Sequence, residues 1–286
     1  MANITLQSTV SSVTPTWCPG CGNFGILGAI RQAFAQLELP EENLVVFYGV
    51  GCSGNMADFN KVYGFHALHG RAIPNAIGAK LANHDLKIIV VAGDGDTYGE
   101  GMNHLLSAAR GNHDITVLVH NNQTYSLTTG QSSPTTDKGI KTKSTPDGLI
   151  EEPVNPLALA LSDHAGFVAR GYAGDMPHLI GLVKEAMTYD GFSLLDVLQP
   201  CPTFNKINTY QWYQERIYKL ADSYQPNDKK LAWEKSQEIE KMPVGVFYRN
   251  DNLEAYHQQL YQLDTATLLQ QRPTQVSIAE TLNEFK

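Results

Sequence analysis

Apolar and polar positions along this chain follow two alternating patterns. Short, mostly apolar runs rich in Val, Ile and Leu occur at Leu44–Tyr48, 87–92, 115–120 and Ser193–Leu198. Runs of that length without polar alternation predict parallel strands covered on both faces. Between them, apolar residues recur at helical spacing. Ile26, Leu27, Ile30, Ala33, Phe34 and Leu37 form one stripe that ends before Pro40, and Met102, Leu105, Leu106 and Ala109 form another that ends at Gly111-Asn112. The small-residue segment Ala72–Ala82 reads as a helix, and a short helix at 157–162, a strand at 167–170 and an amphipathic helix at 179–189 follow. Strands alternating with helices predict an α/β fold with a doubly wound, mainly parallel sheet. Two stretches break the pattern. Residues 126–152 are rich in Thr, Ser, Gly and Lys without periodicity, which marks a functional or disordered loop, and their position favours a lining or lid for a site. From residue 205 onward the composition turns aromatic and charged, and 255–271 reads as a polar helix with a thin apolar stripe. The expected division is therefore a body at 1–204 and a C-terminal extension at 205–286 that packs on the sheet or on a partner.

Composition narrows the function classes. The 286 residues can bury one large core, and the net charge of −8 is dispersed, which argues against an extended nucleic-acid surface. No run approaches the roughly eighteen apolar residues of a membrane span. The start, Met-Ala-Asn-Ile-Thr-Leu-Gln, has neither a basic n-region nor an apolar h-region. A soluble, cytoplasmic protein is expected.

The chemistry collects at the strand ends. The run at 87–92 leads into Gly93-Asp94-Gly95-Asp96, and the run at 115–120 leads into Asn121-Asn122-Gln123-Thr124-Tyr125. Open α/β sheets bind ligands at the carboxyl ends of their strands. Gly-Asp-Gly followed after about twenty-five residues by Asn-Asn is the thiamine-diphosphate signature. A diphosphate is held through a hard cation, and magnesium takes carboxylate and other oxygen ligands. Asp94 offers the carboxylate, Asn122 an amide oxygen and Thr124 its carbonyl, while Gly93 and Gly95 let backbone amides approach phosphate oxygens. Either half alone is an ordinary turn; the pairing at this spacing carries the signal.

All four cysteines fall in expected loops. Cys18 and Cys21 form Cys-Pro-Gly-Cys, Cys52 follows the first apolar run and Cys201 follows the last. Thioredoxin-type chemistry places Cys-x-x-Cys after a strand, and none precedes it here. Four thiolates suit a [4Fe–4S] cluster or a tetrahedral zinc, and the bland alternative is four unrelated thiols. Gly49-Val-Gly51-Cys52-Ser53-Gly54 also matches the dinucleotide pattern G-x-G-x-x-G. That reading is rejected, because 56–64 shows poor helical character and Ile73-Pro74 stands where the ribose-binding acid belongs. His66 and His69 are three apart, and His69, before Gly70-Arg71, is the better candidate for a phosphate contact.

The chain as a whole resembles the β subunits of the 2-oxoacid:ferredoxin oxidoreductases, which include the pyruvate and 2-oxoglutarate enzymes. The resemblance rests on Trp17-Cys18-Pro-Gly-Cys21-Gly, Gly51-Cys52-Ser53, Leu68-His69-Gly70-Arg71, Gly93-Asp94-Gly95-Asp96, Asn121-Asn122-Gln123, the segment Thr129 to Thr136, and Pro200-Cys201-Pro202. It implies a thiamine-diphosphate-binding domain of the type that holds the diphosphate. It further implies a [4Fe–4S] cluster on Cys18, Cys21, Cys52 and Cys201, magnesium on Asp94, Asn122 and Thr124, and Cys52, Ser53, His69, Gly93, Gly95, Asp96 and Leu127 against the cofactor. His69 is the candidate catalytic residue. The reaction implied is oxidative decarboxylation of a 2-oxoacid with coenzyme A, electrons passing through the cluster to ferredoxin. The glutamate that activates the aminopyrimidine is not identifiable here and is expected from an α subunit, in an αβ or (αβ)2 assembly. The alternatives are a non-redox two-subunit thiamine decarboxylase and a zinc-stabilised binding module. Asn55, Leu127 and Thr129 are the expected substrate residues. Many family members carry a cation at the positions of Asn55 and Thr129, so two neutral residues predict tolerance of short 2-oxoacids such as pyruvate.

Overall fold

The computed structural model describes residues 2–271 and 278–285. Among the described residues eight strands form one sheet: β1 (Leu44–Tyr48), β2 (Tyr63–His66), β3 (Lys87–Gly93), β4 (Thr116–Asn121), β5 (Phe167–Tyr172), β6 (Ser193–Leu198), β7 (Ile217–Lys219) and β8 (Met242–Arg249). Their order is β2-β1-β3-β4-β6-β5-β8-β7. The first six run parallel, and β8 pairs antiparallel with β5. The doubly wound α/β reading therefore holds.

Strict alternation along the central strands explains the three layers. In β3, Ile89 and Val91 join Val46, Tyr48 and Leu118 under the helices Asn23–Gln36 and Met176–Thr188. Ile88, Val90 and Ala92 face the other way, with Val117 and Val119, toward the helices Ala72–Ala82, Met102–Arg110 and Pro156–Ser162. Both faces are apolar because both are covered, so the runs carry no polar alternation. Each fully buried Leu, Ile or Val contributes about 1.5–3 kcal/mol. Two buried cations in this interior are paired: Lys80 Nζ lies 2.6 Å from Asp114, and Arg170 Nε 3.5 Å from the fully buried Asp196.

Several elements depart from the sequence expectation. Residues 56–64 carry little helix, a single turn at Met56–Phe59 before the exposed edge strand β2, while a further single turn not expected from the sequence forms just upstream at Gly51–Gly54. The two turns share Asn55 as a junction and are too short to show a periodic apolar stripe. The expected polar helix at 255–271 is replaced by two 3-10 turns, Tyr256–Gln259 and Tyr261–Leu263. Ala255 and Leu263 are its buried apolar anchors, too few to hold a helix face against the body. The C-terminal extension also does more than pack on the sheet. Its strand β8 pairs with β5, through an irregularity between Val168 and Ala169, and β7 then pairs parallel with β8. The segment 272–277 lies outside the described residues.

Candidate active site

The order of strands reverses across the sheet between β1 and β3, and a cleft opens there at the strands' carboxyl ends, where ligands bind in such folds. Its walls come from the loop after β1 (Val50 to Ser53), the turn after β3 (Gly93 to Asp96), the loop after β4 (Asn122 to Thr128) and His69. Asp94 sits at the floor, 2% exposed. Its Oδ2 accepts hydrogen bonds from the hydroxyls of Ser133 (2.6 Å) and Thr135 (2.7 Å). Burial pushes its carboxyl up to about 6, opposed by those hydroxyls and the Gly95 N–H. The aperiodic stretch after Tyr125 thus folds back beneath the cleft, and its hydroxyls hold the acid in place. Asn122 Oδ1 accepts from the Thr124 N–H at 3.1 Å.

Asp96 has a different task. Its carboxylate accepts the backbone N–H of Val50 at 2.9 Å and that of Gly70, and its Oδ1 lies 3.3 Å from His69 Nδ1. It ties the loop after β1 to the loop carrying His69. A Cβ on Gly49 would stand 1.6 Å from Asp96 Oδ2, so only glycine admits this clamp. Gly95 is required for a reason the sequence does not show: a Cβ there would meet the Tyr125 ring at 2.2 Å, and the Tyr125 hydroxyl donates to the Gly95 carbonyl at 3.0 Å.

The four cysteines are unbonded thiols from three distant segments, and named contacts draw those segments together. Trp17 Nε1 donates to the Cys52 carbonyl at 2.7 Å, and the Gly22 N–H donates to the Pro200 carbonyl at 3.1 Å. Ser126 Oγ donates to Cys52 Sγ at 3.3 Å and Gln199 Nε2 to Cys21 Sγ at 3.4 Å. Burial pushes the Cys21 thiol up to about 12, opposed by the Asn23 N–H and reinforced by the charges of Cys201, Cys52 and Cys18. The same kind of repulsion, from Cys201 and Cys18, adds to burial in raising the Cys52 thiol. Among the described residues no three His, Cys, Asp or Glu side chains close around a single-ion site.

Comparison with known proteins places this arrangement. Residues 46–197 match the family described as thiamine pyrophosphate enzyme, C-terminal TPP binding domain, and 201–265 match the C-terminal family of the pyruvate ferredoxin oxidoreductase beta subunit. The 2-oxoacid:ferredoxin oxidoreductase subunit beta of Saccharolobus solfataricus is 48% identical over 258 residues, 85% of each chain. The chain belongs to this β-subunit family. Another member, the 2-oxoglutarate oxidoreductase subunit KorB of Mycobacterium tuberculosis, is 46% identical over 66% of this chain and 51% of its own length. A solved 2-oxoglutarate:ferredoxin oxidoreductase from Magnetococcus marinus, with 2-oxoglutarate, coenzyme A and succinyl-CoA bound, superposes with a TM-score of 0.91 at 33% identity. That match covers 100% of this chain and 97% of the other.

Within this β subunit the expected residues divide. Cys52, Ser53, His69, Gly93, Asp94, Gly95, Asp96, Asn122, Thr124 and Leu127 all line the cleft. Asn55 and Thr129 do not. Asn55 is the junction between the two single-turn helices, and Thr129 lines a neighbouring pocket with Lys141, Lys143 and Lys206. Lys143 Nζ donates to Thr129 Oγ1 at 2.9 Å, so a cation stands beside the neutral position after all. The Thr129 half of the argument from neutral residues to short substrates thereby loses its physical basis. Sequence reasoning also passed over Ser126, Ser133, Thr135 and Gln199, and His120. His120 lines the cleft with Nδ1 2.7 Å from Asn23 Oδ1, and burial pushes it down to about 3, so it is neutral. Hydroxyl density in an aperiodic loop was the signal available for the first three, and Ser133 and Thr135 also fall within the family-like segment Thr129 to Thr136; His120 and Gln199 lie in or directly after strands and carry none.

Proposed function

We propose that the cleft of this β subunit holds thiamine diphosphate and Mg2+, and that Cys18, Cys21, Cys52 and Cys201 hold a [4Fe–4S] cluster beside it. With an α subunit and coenzyme A, the assembly would convert a 2-oxoacid to acyl-CoA and CO2 and pass electrons to ferredoxin. One observation carries the reading: hydrogen bonds tie the three cysteine-bearing segments to one another, and Cys52 and Cys21 through Ser126 and Gln199 to Asn122 of the cleft. The donor sets fit the groups. A carboxylate, an amide oxygen and a carbonyl oxygen suit Mg2+, and four thiols suit a cluster, whose four irons hold thiolates farther apart than one ion does. When bound, these groups supply an electron sink for decarboxylation and a one-electron acceptor.

This chain's own residues would position and exclude. Asp94, Asn122 and the Thr124 carbonyl would hold the metal, with Ser133 and Thr135 fixing the Asp94 carboxylate. Ser53 and Leu127 would wall the cofactor, and of the expected substrate residues Leu127 alone lines the cleft, with Asn55 and Thr129 outside it. Asp96 holds His69 by Nδ1, which leaves Nε2 as the position that accepts or returns a proton. No glutamate lines the cleft among the described residues, which supports an α subunit as the source of the aminopyrimidine-activating acid. Tyr63, Phe65 and Leu68 stand exposed on β2 and the loop leading to His69, an apolar rim suited to that partner. We extend the proposal to an αβ or (αβ)2 assembly, and to a role for 205–286 distinct from the cofactor-binding body 1–204. No helix among the described residues is long and apolar enough to cross a membrane, and a cytoplasmic setting is part of the proposal.

The test is iron quantitation, visible spectroscopy and turnover on the anaerobically purified complex. About four irons per β chain, a broad visible absorbance bleached by dithionite, and coenzyme A-dependent ferredoxin reduction that requires the α subunit are expected. Zinc in place of iron, or decarboxylation without electron transfer, would overturn the reading.

A further inference from the structure

One side chain joins the two halves of the site. Asn122 presents Oδ1 to the Thr124 N–H, within the loop proposed to hold the metal, while its Nδ2 faces the opposite way. Nδ2 lies 3.3 Å from both Ser126 Oγ and Gln199 Oε1. Ser126 Oγ in turn donates to Cys52 Sγ, and Gln199 Nε2 to Cys21 Sγ, at 3.3 and 3.4 Å. Two relays thus run from a single amide to two of the four sulfurs. All three relay residues are buried; Gln199 is 1% exposed. With so little solvent contact, these hydrogen bonds are fixed in direction and act in a low-dielectric setting.

We propose that Ser126 and Gln199 set the reduction potential of the sulfur-bound cluster, and that Asn122 couples that setting to occupancy of the metal–diphosphate loop. The inference rests on the function proposed above. A hydrogen bond donated to a ligating sulfur offsets negative charge, and the reduced cluster carries one more negative charge than the oxidised one. Each relay therefore favours the reduced form and raises the potential. A cation on Asn122 Oδ1 withdraws electron density from the amide and strengthens its Nδ2–H bonds to Ser126 and Gln199. Polarisation along a hydrogen-bonded chain then strengthens the bonds to sulfur as well. Loading the cleft makes the cluster a better electron acceptor at the moment it is needed. Ser126 and Gln199 act through the sulfurs and are positioning residues.

Anaerobic spectroelectrochemical titration of the assembled complex tests this, with iron content measured on every sample. The variants are Ser126→Ala, Gln199→Met, the double substitution and Ser126→Thr, each with and without Mg2+ and thiamine diphosphate. With iron retained, each of the first two should shift the reduction equilibrium about three- to tenfold toward the oxidised form, tenfold being about 59 mV for one electron. Ser126→Thr, which keeps the hydroxyl, should restore the wild-type value. Loading should raise the wild-type potential, and the double variant should lose most of that rise. Full iron with unchanged potentials in Ser126→Ala and Gln199→Met overturns the proposal, as does an equal loading shift in the double variant. Iron loss in Ser126→Ala that Ser126→Thr repairs also overturns it, since the hydroxyl would then serve assembly and not potential. A wild-type complex without iron instead removes the function reading itself, and this inference with it.

Discussion

Asp96→Asn separates the loop clamp from the metal site. Both carboxylate oxygens of Asp96 accept backbone N–H groups, from Gly70 and from Val50, and the side chain is 4% exposed. Asparagine keeps one acceptor and turns an NH2 group toward the other N–H. The exchange removes one charge-assisted hydrogen bond, worth about 1.5–3 kcal/mol, and leaves a buried donor unmet at a further cost of about 1–3 kcal/mol. Part of this is returned, because burial already penalises the Asp96 charge and pushes its carboxyl up. A net loss of about 2–3 kcal/mol remains. For a chain of this size that lowers the Tm by roughly 5 °C. The loops carrying Cys52, Ser53 and His69 also loosen, so thiamine diphosphate affinity should fall by about tenfold, equivalent to about 1.4 kcal/mol. Thermal melts and cofactor titration of the purified complex read both quantities. A Tm within about 1 °C of wild type together with an affinity within about twofold would refute the clamp argument.

Asp94→Asn should do the reverse: the melt stays near wild type while Mg2+-dependent thiamine diphosphate binding weakens by about 100-fold, because the one carboxylate proposed for the metal is gone. Calorimetric titration showing unchanged affinity would remove Asp94 from the metal set. Cys201→Ala should give a cluster-free or oxygen-labile protein that still binds the cofactor, since no other cysteine follows residue 52. A full iron complement with normal electron transfer would exclude Cys201 as a ligand. Lys143→Met should lower kcat/KM for 2-oxoglutarate relative to pyruvate by about tenfold, a loss of about 1.4 kcal/mol of charge-assisted binding near Thr129. An unchanged ratio in steady-state assays would assign substrate choice to the partner. Arg170→Met should destabilise the complex by about 3 kcal/mol in chemical denaturation, because it leaves the fully buried Asp196 without its cation; a loss under about 1 kcal/mol would contradict the pairing.

The sequence by itself determined the strand–helix alternation, and with it the layers and the sheet edge where the site would lie. Apolar runs such as Leu44–Tyr48 are unambiguous because parallel strands buried on both faces leave few polar positions. The Gly-Asp-Gly and Asn-Asn loops were legible for a related reason: they follow strands directly, so the chain order and the spatial order of their chemistry agree. The four cysteines could be named, but not brought together, since their segments are joined only when the loop before the first helix, the end of β1 and the end of β6 converge. Partnerships across sequence were decided by the tertiary structure alone. Asp96 reads as a cofactor contact in one dimension and becomes a clamp because Val50 and Gly70 arrive on either side of it. Thr129 reads as a lost cation until the return of the 126–152 loop sets Lys143 beside it. Strand β8 carries β-forming residues at Val244, Val246, Phe247 and Tyr248, but its place in the sheet is set by the open edge of β5. Periodicity records what a segment buries. Which distant side chain completes a buried polar group depends on where the chain returns, and that is settled only by packing.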